Sequence, residues 1–256
     1  MQAPHFLYSI YERRLLNDLD RSRFPHHIGI VLDGHRRYAR EEGLNSYQES
    51  YRTGMQRFEE FLGWVEQLGI PVVTAWLLSR ENLARPDDEL KPYFEVLSEL
   101  FERLPTQAER YDLKLRFIGS LDLLPPDVVA TAQEAEAARP QGSRQLNIAM
   151  GYGGRQEIVD AARDLVGKLA ADGLSPNEIA AAIDSESLAR HMYSADVPDP
   201  DLLIRTSGEA RLSGFLLWQS AYAEFVFVDV YWPAFRRVDF LRALRDYTRR
   251  ERRFGR

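Results

Sequence analysis

The chain has 256 residues, of which 45% are hydrophobic and 28% are charged, a composition typical of a soluble globular protein with one well-buried core. The net charge of −6 argues against a general nucleic-acid binder, and the absence of cysteine excludes disulfides, a thiolate nucleophile and zinc–cysteine sites. The first residues lack the apolar core of a signal peptide, and the longest apolar run, residues 72–78, is too short to span a bilayer. We therefore expect a cytoplasmic protein.

In chain order, the first element is an amphipathic helical pattern over residues 6–19, within an N-terminal segment of residues 1–23. We expect it to pack on the domain, with a peripheral membrane contact as the alternative. Six strand-like apolar runs follow, at residues 28–32, 71–78, 113–119, 145–151, 202–206 and 224–230. Helical patterns alternate with them, at residues 47–68, 88–110, 126–138, 154–172, 176–183, 185–192 and 237–253.

This alternation of buried strands and helices is typical of α/β proteins. It predicts a mainly parallel central sheet flanked by helices on both faces. The sequence has no internal repeat, no low-complexity tract and no linker-like composition. We therefore predict a single domain over residues 1–256, which ends with a C-terminal helix and tail at residues 237–256.

Four polar, glycine-bearing turns each follow a strand-like run directly. They lie at residues 33–35, 79–82, 151–154 and 205–209. Ligands of open α/β sheets bind beyond the carboxyl ends of the strands. We therefore expect the four turns to lie near one another, at one rim of the sheet.

Asp33 ends the first apolar run and is followed by Gly34 and by a dense group of potential cations. A carboxylate at a strand end can bind Mg²⁺, act as a nucleophile or cap the next helix. Gly34 lets the backbone approach a ligand, and Arg36 and Arg37 suit an anion. The combination suggests a metal-bound diphosphate or triphosphate ester. An aspartyl phosphatase would need a second Asp at position 35, and a P-loop motif is absent.

A second group of candidate anion ligands lies in residues 201–225. Arg205, Arg211 and Ser213 could hold a second phosphate group, and Glu224 could meet Asp33 at a metal ion. An ordinary surface ion network is the alternative. Large apolar residues that suit either a core or an apolar cavity are Phe58, Phe61, Leu62, Trp76, Leu77, Leu78, Phe94 and Leu97. Two phosphate sites above an apolar cavity would suit the condensation of two prenyl diphosphates.

Several long motifs carry a resemblance to a known family. In order along the chain they are HIGIVLDG, SRENLARP (79–86), NIAMGYGGRQEIVDA (147–161), DPDLLIRTSGEARLSGFLLWQSAYAEF, WPAF (232–235) and RRFG (252–255). From about residue 24 to its C-terminus, the chain resembles the cis-prenyltransferases, the undecaprenyl diphosphate synthase family. The resemblance implies a homodimeric α/β enzyme that uses Mg²⁺ to join an allylic prenyl diphosphate to isopentenyl diphosphate. The Asp-Asp-x-x-Asp motifs of trans-prenyltransferases are absent.

The resemblance also implies roles for individual residues. Asp33 would hold Mg²⁺ with help from Glu224. The allylic diphosphate would bind to Gly34, Arg36, Arg37 and Arg85, and the isopentenyl diphosphate to Arg205, Arg211 and Ser213. Ser79, Glu81 and Asn82 would lie beside the reacting groups. Arg253 and Gly255, which form a C-terminal Arg-x-Gly motif, would complete the site, often that of the neighbouring subunit.

Two features bear on the product. Long-chain members of the family commonly have a small residue at the position of Leu77 and an aromatic residue at that of Leu78. Here both are leucine, and an extra residue lies between Gly43 and Gly54, as in short-chain (Z,E)-farnesyl diphosphate synthases. We predict a short Z-prenyl diphosphate. A longer product, irregular head-to-middle coupling of two allylic diphosphates and a non-catalytic partner subunit are the alternatives.

The chain departs from the family pattern after Gly34. His35 stands where the family has an Asn thought to act near the reacting carbon, and Tyr38 stands where it has a Trp. We expect both on the allylic side of the site. His35 could replace the Asn as a hydrogen-bond donor, or it could titrate near neutral pH and act as a base.

Overall fold

The computed structural model describes residues 5–250, with side chains from residue 11 onward. The strands are β1 (His27–Val31), β2 (Val72–Trp76), β3 (Leu113–Ile118), β4 (Arg144–Ala149), β5 (Leu202–Arg205) and β6 (Glu224–Phe227). The helices are α1 (His5–Asp18), α2 (His35–Glu41), α3 (Tyr47–Leu68), α4 (Asp87–Arg110), α5 (Pro126–Ala138), α6 (Gly154–Ala171), α7 (Pro176–Ala182), α8 (Ser185–Ala189) and α9 (Arg237–Arg249).

The six strands form one sheet in the order β3-β4-β2-β1-β5-β6, and every neighbouring pair is parallel. All residues of β1 and β2 are buried, as expected for central strands covered on both faces. The predicted α/β fold with a mainly parallel sheet is therefore confirmed, and in the described part of the chain the sheet is parallel throughout.

The apolar residues divide between the two faces of the sheet. The larger cluster contains buried side chains of α1, α3, α4, α5 and α9, such as Leu15, Phe58, Phe101 and Phe240. The smaller cluster contains Val31, Trp76, Tyr152 and Phe215. The ring of Phe215 stacks on that of Trp76, with centroids 5.1 Å apart. This stacking fixes the loop after β5 against the end of β2.

The N-terminal helix packs on the domain, as expected. α1 contacts α9, Leu15 is buried, and the Arg242 guanidinium lies 5.1 Å from the centre of the Tyr11 ring. Among the residues that the structure describes, no helix combines the length and the apolar character needed to cross a membrane.

Three elements differ from the sequence-based expectation. The segment after Gly34 is a seven-residue helix, α2, which the apolar periodicity does not reveal because Ala39 alone is buried in it. The helical pattern at 185–192 yields only α8, which ends at Ala189. The run at 224–230 is not a buried strand: β6 has four residues, lies at the sheet edge and keeps Phe227 41% exposed.

The helix cap considered for Asp33 is not observed. Gly34 caps α2 instead, in the left-handed conformation with φ of 109°. A Cβ atom at position 34 would lie 2.6 Å from Cδ1 of Tyr231, so both backbone conformation and space require glycine here. The Asp33 carboxylate is therefore available for other partners.

Candidate functional site

A cavity of about 680 Å³ opens at the carboxyl ends of β1, β2 and β5. This is the position that the strand-end rule predicts for a ligand. Predicted site residues that line it are Asp33, Gly34, His35, Arg36, Arg37, Leu77, Leu78, Ser79, Glu81, Asn82, Arg85, Arg205, Arg211 and Ser213. Residues from distant parts of the chain therefore meet in one space.

Asp33 lies two residues beyond the end of β1, and Thr206 fixes its backbone. The Asp33 N–H donates to Thr206 Oγ1 at 3.0 Å, and the Thr206 hydroxyl donates to the Asp33 carbonyl at 2.8 Å. The carboxylate accepts a hydrogen bond of 2.7 Å from Arg205 Nη2. Burial alone would raise the pKa of Asp33, but Arg205, the Ser207 hydroxyl and Arg37 lower it overall. The cavity thus holds an ionised carboxylate at neutral pH.

The residues after β5 form a cationic group that the sheet and the loop hold in place. Arg205 is the last residue of β5, and its side chain is only 9% exposed. Its Nη1 donates to the Arg211 carbonyl at 2.6 Å and to Ser213 Oγ at 2.7 Å. Ser213 has a positive φ of 50°, and Gly214 accepts a hydrogen bond of 2.8 Å from the N–H of Gly154. The Arg205 and Ser213 side chains are therefore set before any ligand arrives, whereas the Arg211 side chain is 63% exposed and pairs with Glu209.

A second cationic group lies across the cavity and comes from two helical segments. Arg36 of α2 and Arg85, which ends the short turn before α4, both pair with Glu89, at 3.4 Å and 3.0 Å. The Glu89 side chain is 13% exposed and also accepts a hydrogen bond of 3.4 Å from the Tyr51 hydroxyl. One carboxylate thus holds two arginines whose side chains face the same space.

Arg37 connects Asp33 to the loop after β5. Its Nη2 donates to Ser207 Oγ at 2.8 Å, and its Nη1 donates to Glu209 Oε1 at 3.1 Å. The contact with the Asp33 carboxylate is longer, at 3.5 Å. Arg37 therefore lies between the two cationic groups and next to the ionised carboxylate.

The turn at residues 79–82 follows β2 and faces the cavity. The hydroxyl of Ser79 accepts a hydrogen bond of 3.1 Å from the Asn82 N–H, which closes the turn. Ser79 also forms an isolated β-bridge with Tyr152. The third predicted turn, residues 151–154, does not itself line the cavity. It supports the turns after β2 and β5 from behind.

His35 is partly buried at the start of α2, close to Gly54 and Tyr51. Its Nδ1 lies 3.3 Å from the Ser50 carbonyl oxygen, and its ring centre lies 5.5 Å from that of Tyr51. Burial lowers the pKa of His35 to about 4, although the Ser50 carbonyl and Asp33 act in the opposite direction. His35 is therefore neutral at physiological pH, which favours a hydrogen-bonding role and argues against a base that titrates near pH 7.

Two predicted residues are not brought to the cavity. Tyr38 lies on α2 but is absent from the cavity lining. Glu224 is the first residue of β6, level in register with Leu202 and Ile28. Asp33 lies five residues beyond Ile28, roughly 16 Å along the strand direction at about 3.3 Å per residue. Within one chain, Glu224 therefore does not meet Asp33, and its carboxylate pairs with Arg250 at 2.6 Å instead.

Glu224 lies far from Asp33 because the strands run in the same direction. β5 ends at the cavity. Because β6 is parallel to β5, the chain must return to the amino ends of the strands before β6 can begin. In the described part of the chain, no group of three or more Asp, Glu or His side chains is arranged to hold a metal ion. Arg253 and Gly255 lie outside the described residues.

Several residues that line the cavity were not identified from the sequence as site residues. They are Val31, Leu32, Arg40, Tyr51, Tyr93 and Glu209; Trp76, which also lines it, was named only as a residue that suits a core or an apolar cavity. Glu209 belongs to one of the predicted turns and could have been selected on that basis. Tyr51 and Tyr93 lie within regular helices, where nothing distinguishes them from other core aromatics.

Comparisons with known proteins show the family of the chain. Residues 31–255 match the family described as putative undecaprenyl diphosphate synthase. The chain is 50% identical over 250 residues to (2Z,6E)-farnesyl diphosphate synthase of Thermobifida fusca, covering 97% of each protein. It is 46% identical over 253 residues to the tritrans,polycis-undecaprenyl-diphosphate synthase (geranylgeranyl-diphosphate specific) of Methanopyrus kandleri, covering 98% of this chain and 92% of the other.

A solved structure is similar over almost the whole fold. It is lavandulyl diphosphate synthase from Lavandula x intermedia in complex with dimethylallyl diphosphate, with a TM-score of 0.85 and 32% identity. The match covers 92% of this chain and 100% of that one.

Proposed function

Because this chain belongs to the undecaprenyl diphosphate synthase family, it is a cis-prenyltransferase, and we propose that its product is a short Z-prenyl diphosphate, (Z,E)-farnesyl diphosphate. The substrates would be a short allylic diphosphate and isopentenyl diphosphate. One observation carries the proposal: two separate cationic groups face one cavity whose inner part is lined by Leu77 and Leu78. Similarity alone does not select the product, because relatives at nearly the same identity carry short-chain and long-chain names.

We assign the allylic diphosphate to the group formed by Gly34, Arg36, Arg37 and Arg85. In the described residues, Glu89 is the one carboxylate that pairs with Arg36 and Arg85. A bound diphosphate would take the place of Glu89 at these arginines or would share them with it. The departing diphosphate gains charge as the carbon–oxygen bond breaks. Arginines already placed beside it would stabilise that charge without reorganising.

We assign the diphosphate of isopentenyl diphosphate to Arg205, Arg211 and Ser213. Arg205 is buried and fixed, which suits the binding of a substrate that must present its alkene in one orientation. The alkene would attack the allylic carbon, and loss of a proton would leave the Z double bond. Ser79, Glu81 and Asn82 line the space beside both groups and would position the reacting ends.

Enzymes of this family generally use a divalent metal, and we propose Mg²⁺, held by Asp33. The fit rests on the Asp33 carboxylate, which lines the cavity and has a lowered pKa. Mg²⁺ commonly binds proteins through one or two carboxylates and completes its shell with substrate phosphates and water. Such an ion would neutralise charge on the allylic diphosphate as it leaves.

We further propose a homodimer joined near β6. The outer edge of β6 has no strand beside it in the described chain, and Tyr222 and Phe227 next to it are exposed. An open apolar edge favours pairing with a second copy. The described chain ends at Arg250, beside Glu224 and away from the cavity. Contributions of Glu224, Arg253 and Gly255 to a site would then come from the partner subunit. The place of Tyr38 on the allylic side of the site and the cytoplasmic location of the protein both stay predictions.

Irregular coupling is the second candidate, because the similar solved structure is a lavandulyl diphosphate synthase that holds dimethylallyl diphosphate. The experiment that separates the candidates offers each substrate singly and in pairs, with Mg²⁺. We expect consumption only when an allylic diphosphate and isopentenyl diphosphate are both present. Consumption of dimethylallyl diphosphate alone would overturn the proposal in favour of irregular coupling.

Leu77 provides a first test of product length. Its side chain is buried and lines the cavity, so Leu77→Ala should remove part of the inner surface and lengthen the product by about one isoprene unit. Burial of each added CH₂ is favourable by about 0.8 kcal/mol, so only steric blockage stops elongation. Chromatography of the dephosphorylated products measures the change, and an unchanged product would exclude Leu77 as part of the block.

A further inference from the structure

The segment that follows β6, residues 228–232, contacts two of the turns that form the site. The N–H of Ser207 donates to the Val230 carbonyl at 2.8 Å. The N–H of Trp232 donates to the Asp33 carbonyl at 2.9 Å. One short stretch of backbone therefore holds both the turn after β1 and the loop after β5.

Trp232 anchors this segment in the core. Its side chain is fully buried, and its Nε1 donates to the Gly54 carbonyl at 2.8 Å. Its ring also stacks on that of Phe235, with centroids 5.3 Å apart. The residue before it, Tyr231, therefore extends from a backbone that is fixed at the next position.

The side chain of Tyr231 lies against α2 and the turn that precedes this helix. The Arg37 guanidinium lies 5.6 Å from the centre of the Tyr231 ring. The Tyr231 hydroxyl donates to Glu41 Oε1, on the same face of α2 as Arg37 because the two residues are four positions apart. The ring also fills the space beside Gly34. Tyr231 thus contacts both neighbours of the ionised Asp33 carboxylate without itself lining the cavity.

Arg37 is the cation on which this contact acts. Its side chain is 38% exposed, and its hydrogen bonds to Ser207 and Glu209 both reach the loop after β5. The contact with Tyr231 comes instead from the segment after β6. It is made through the face of the ring and uses no N–H donor of Arg37, so these donors stay available for phosphate oxygens.

We propose that Tyr231 is a positioning residue for the allylic diphosphate, because its ring holds the Arg37 guanidinium beside Asp33 in the orientation that binds the substrate phosphates. The inference rests on the proposed function, in which Arg37 binds that diphosphate. It deepens the proposed function by naming the residue that orients Arg37. Tyr231 lies one residue before the WPAF motif and was not identified from the sequence.

The test compares KM values of full-chain variants with geranyl diphosphate and isopentenyl diphosphate. Tyr231→Leu removes the ring, so the KM for geranyl diphosphate should rise by about 2- to 5-fold, whereas the KM for isopentenyl diphosphate should not change. This factor corresponds to the about 0.5–1 kcal/mol of an exposed cation–π contact. Tyr231→Phe keeps the ring and loses the hydroxyl, so it should retain both wild-type values.

Tyr111→Leu is the matched control. The Arg110 guanidinium also lies 5.6 Å from the centre of the Tyr111 ring, and neither residue lines the cavity. The control therefore removes the same kind of contact at the same distance, away from the site. It should leave both KM values unchanged.

A double-mutant cycle shows whether Tyr231 acts through Arg37. In an Arg37→Ala background, Tyr231→Leu should not raise the KM for geranyl diphosphate further, because the residue that it positions is absent. An equal rise in both backgrounds would overturn the proposal, and so would an unchanged KM in folded Tyr231→Leu. If that variant does not fold, Tyr231→Met also lacks the ring and carries the same expectation.

Arg37→Ala alone tests the proposed function. An unchanged KM for geranyl diphosphate in this variant would refute the assignment of Arg37 to the allylic diphosphate. A raised KM in Arg37→Ala, together with no effect of Tyr231→Leu, would refute the role of Tyr231 and leave the proposed function intact.

Discussion

The two cationic groups of the cavity are built differently. Arg205 extends from a strand, is 9% exposed and is fixed by a backbone carbonyl, a hydroxyl and Asp33. Arg36, by contrast, is 45% exposed and meets Arg85 only through Glu89. The sheet therefore fixes Arg205 in one group, whereas side chains of two separate helical segments set Arg36 and Arg85 in the other.

The largest expected effect comes from Asp33, which lies between the two groups. Asp33→Asn removes the ionised carboxylate but keeps its shape, so kcat should fall by about 100-fold or more, the usual effect of losing one preorganised electrostatic contact. Steady-state turnover at saturating Mg²⁺ measures it. Asp229→Asn, at an exposed position beyond β6, is a matched control and should retain activity. Near-normal turnover of Asp33→Asn would remove Asp33 from the reaction.

A pair of conservative changes should separate the two groups. Arg205→Lys loses the forked contacts to Ser213 and Asp33, so the KM for isopentenyl diphosphate should rise by about 10- to 100-fold, equivalent to about 1.4–2.7 kcal/mol. Arg85→Lys should raise the KM for the allylic substrate instead, and by less, because Arg85 has fewer fixed contacts. Two-substrate kinetics measures both constants. Equal effects of each variant on both constants would contradict the assignment of separate subsites.

The third prediction compares two histidines at opposite ends of β1 and concerns stability. Burial lowers the pKa of both His27 and His35 to about 4. A lowered histidine pKa contributes stability above the unfolded value of about 6.5, and this stability is lost as pH falls toward 4. Each histidine should therefore lower the free energy of unfolding by about 2 kcal/mol when the pH falls from 7 to 5.

Denaturant unfolding at the two pH values measures this loss. His35→Asn should reduce this loss of unfolding free energy by about 2 kcal/mol, the contribution of one histidine. The variant should leave the pH dependence of turnover above pH 6 unchanged. A shift of the turnover profile near neutral pH in that variant would revive the role of His35 as a base.

Much of this site follows from the sequence because parallel strands expose their carboxyl ends at one edge. Asp33, Ser79 and Arg205 each end a strand-like run, so their meeting needs no knowledge of side-chain packing. By the same rule, the first residue of a parallel strand lies at the opposite end of the strands from the cavity. The rule would therefore have placed Glu224 away from the cavity. Tyr51, Tyr93 and Glu89 could not be predicted, because their contacts depend on how α3 packs against α4.

The central claim is the condensation of one allylic diphosphate with isopentenyl diphosphate to a short Z product. The most direct measurement supplies the wild-type enzyme with geranyl diphosphate, labelled isopentenyl diphosphate and Mg²⁺, and determines the length and double-bond geometry of the labelled product. We predict (Z,E)-farnesyl diphosphate as the main product, with a new Z double bond. A ladder of long polyprenyl diphosphates, or a branched product, would contradict the account.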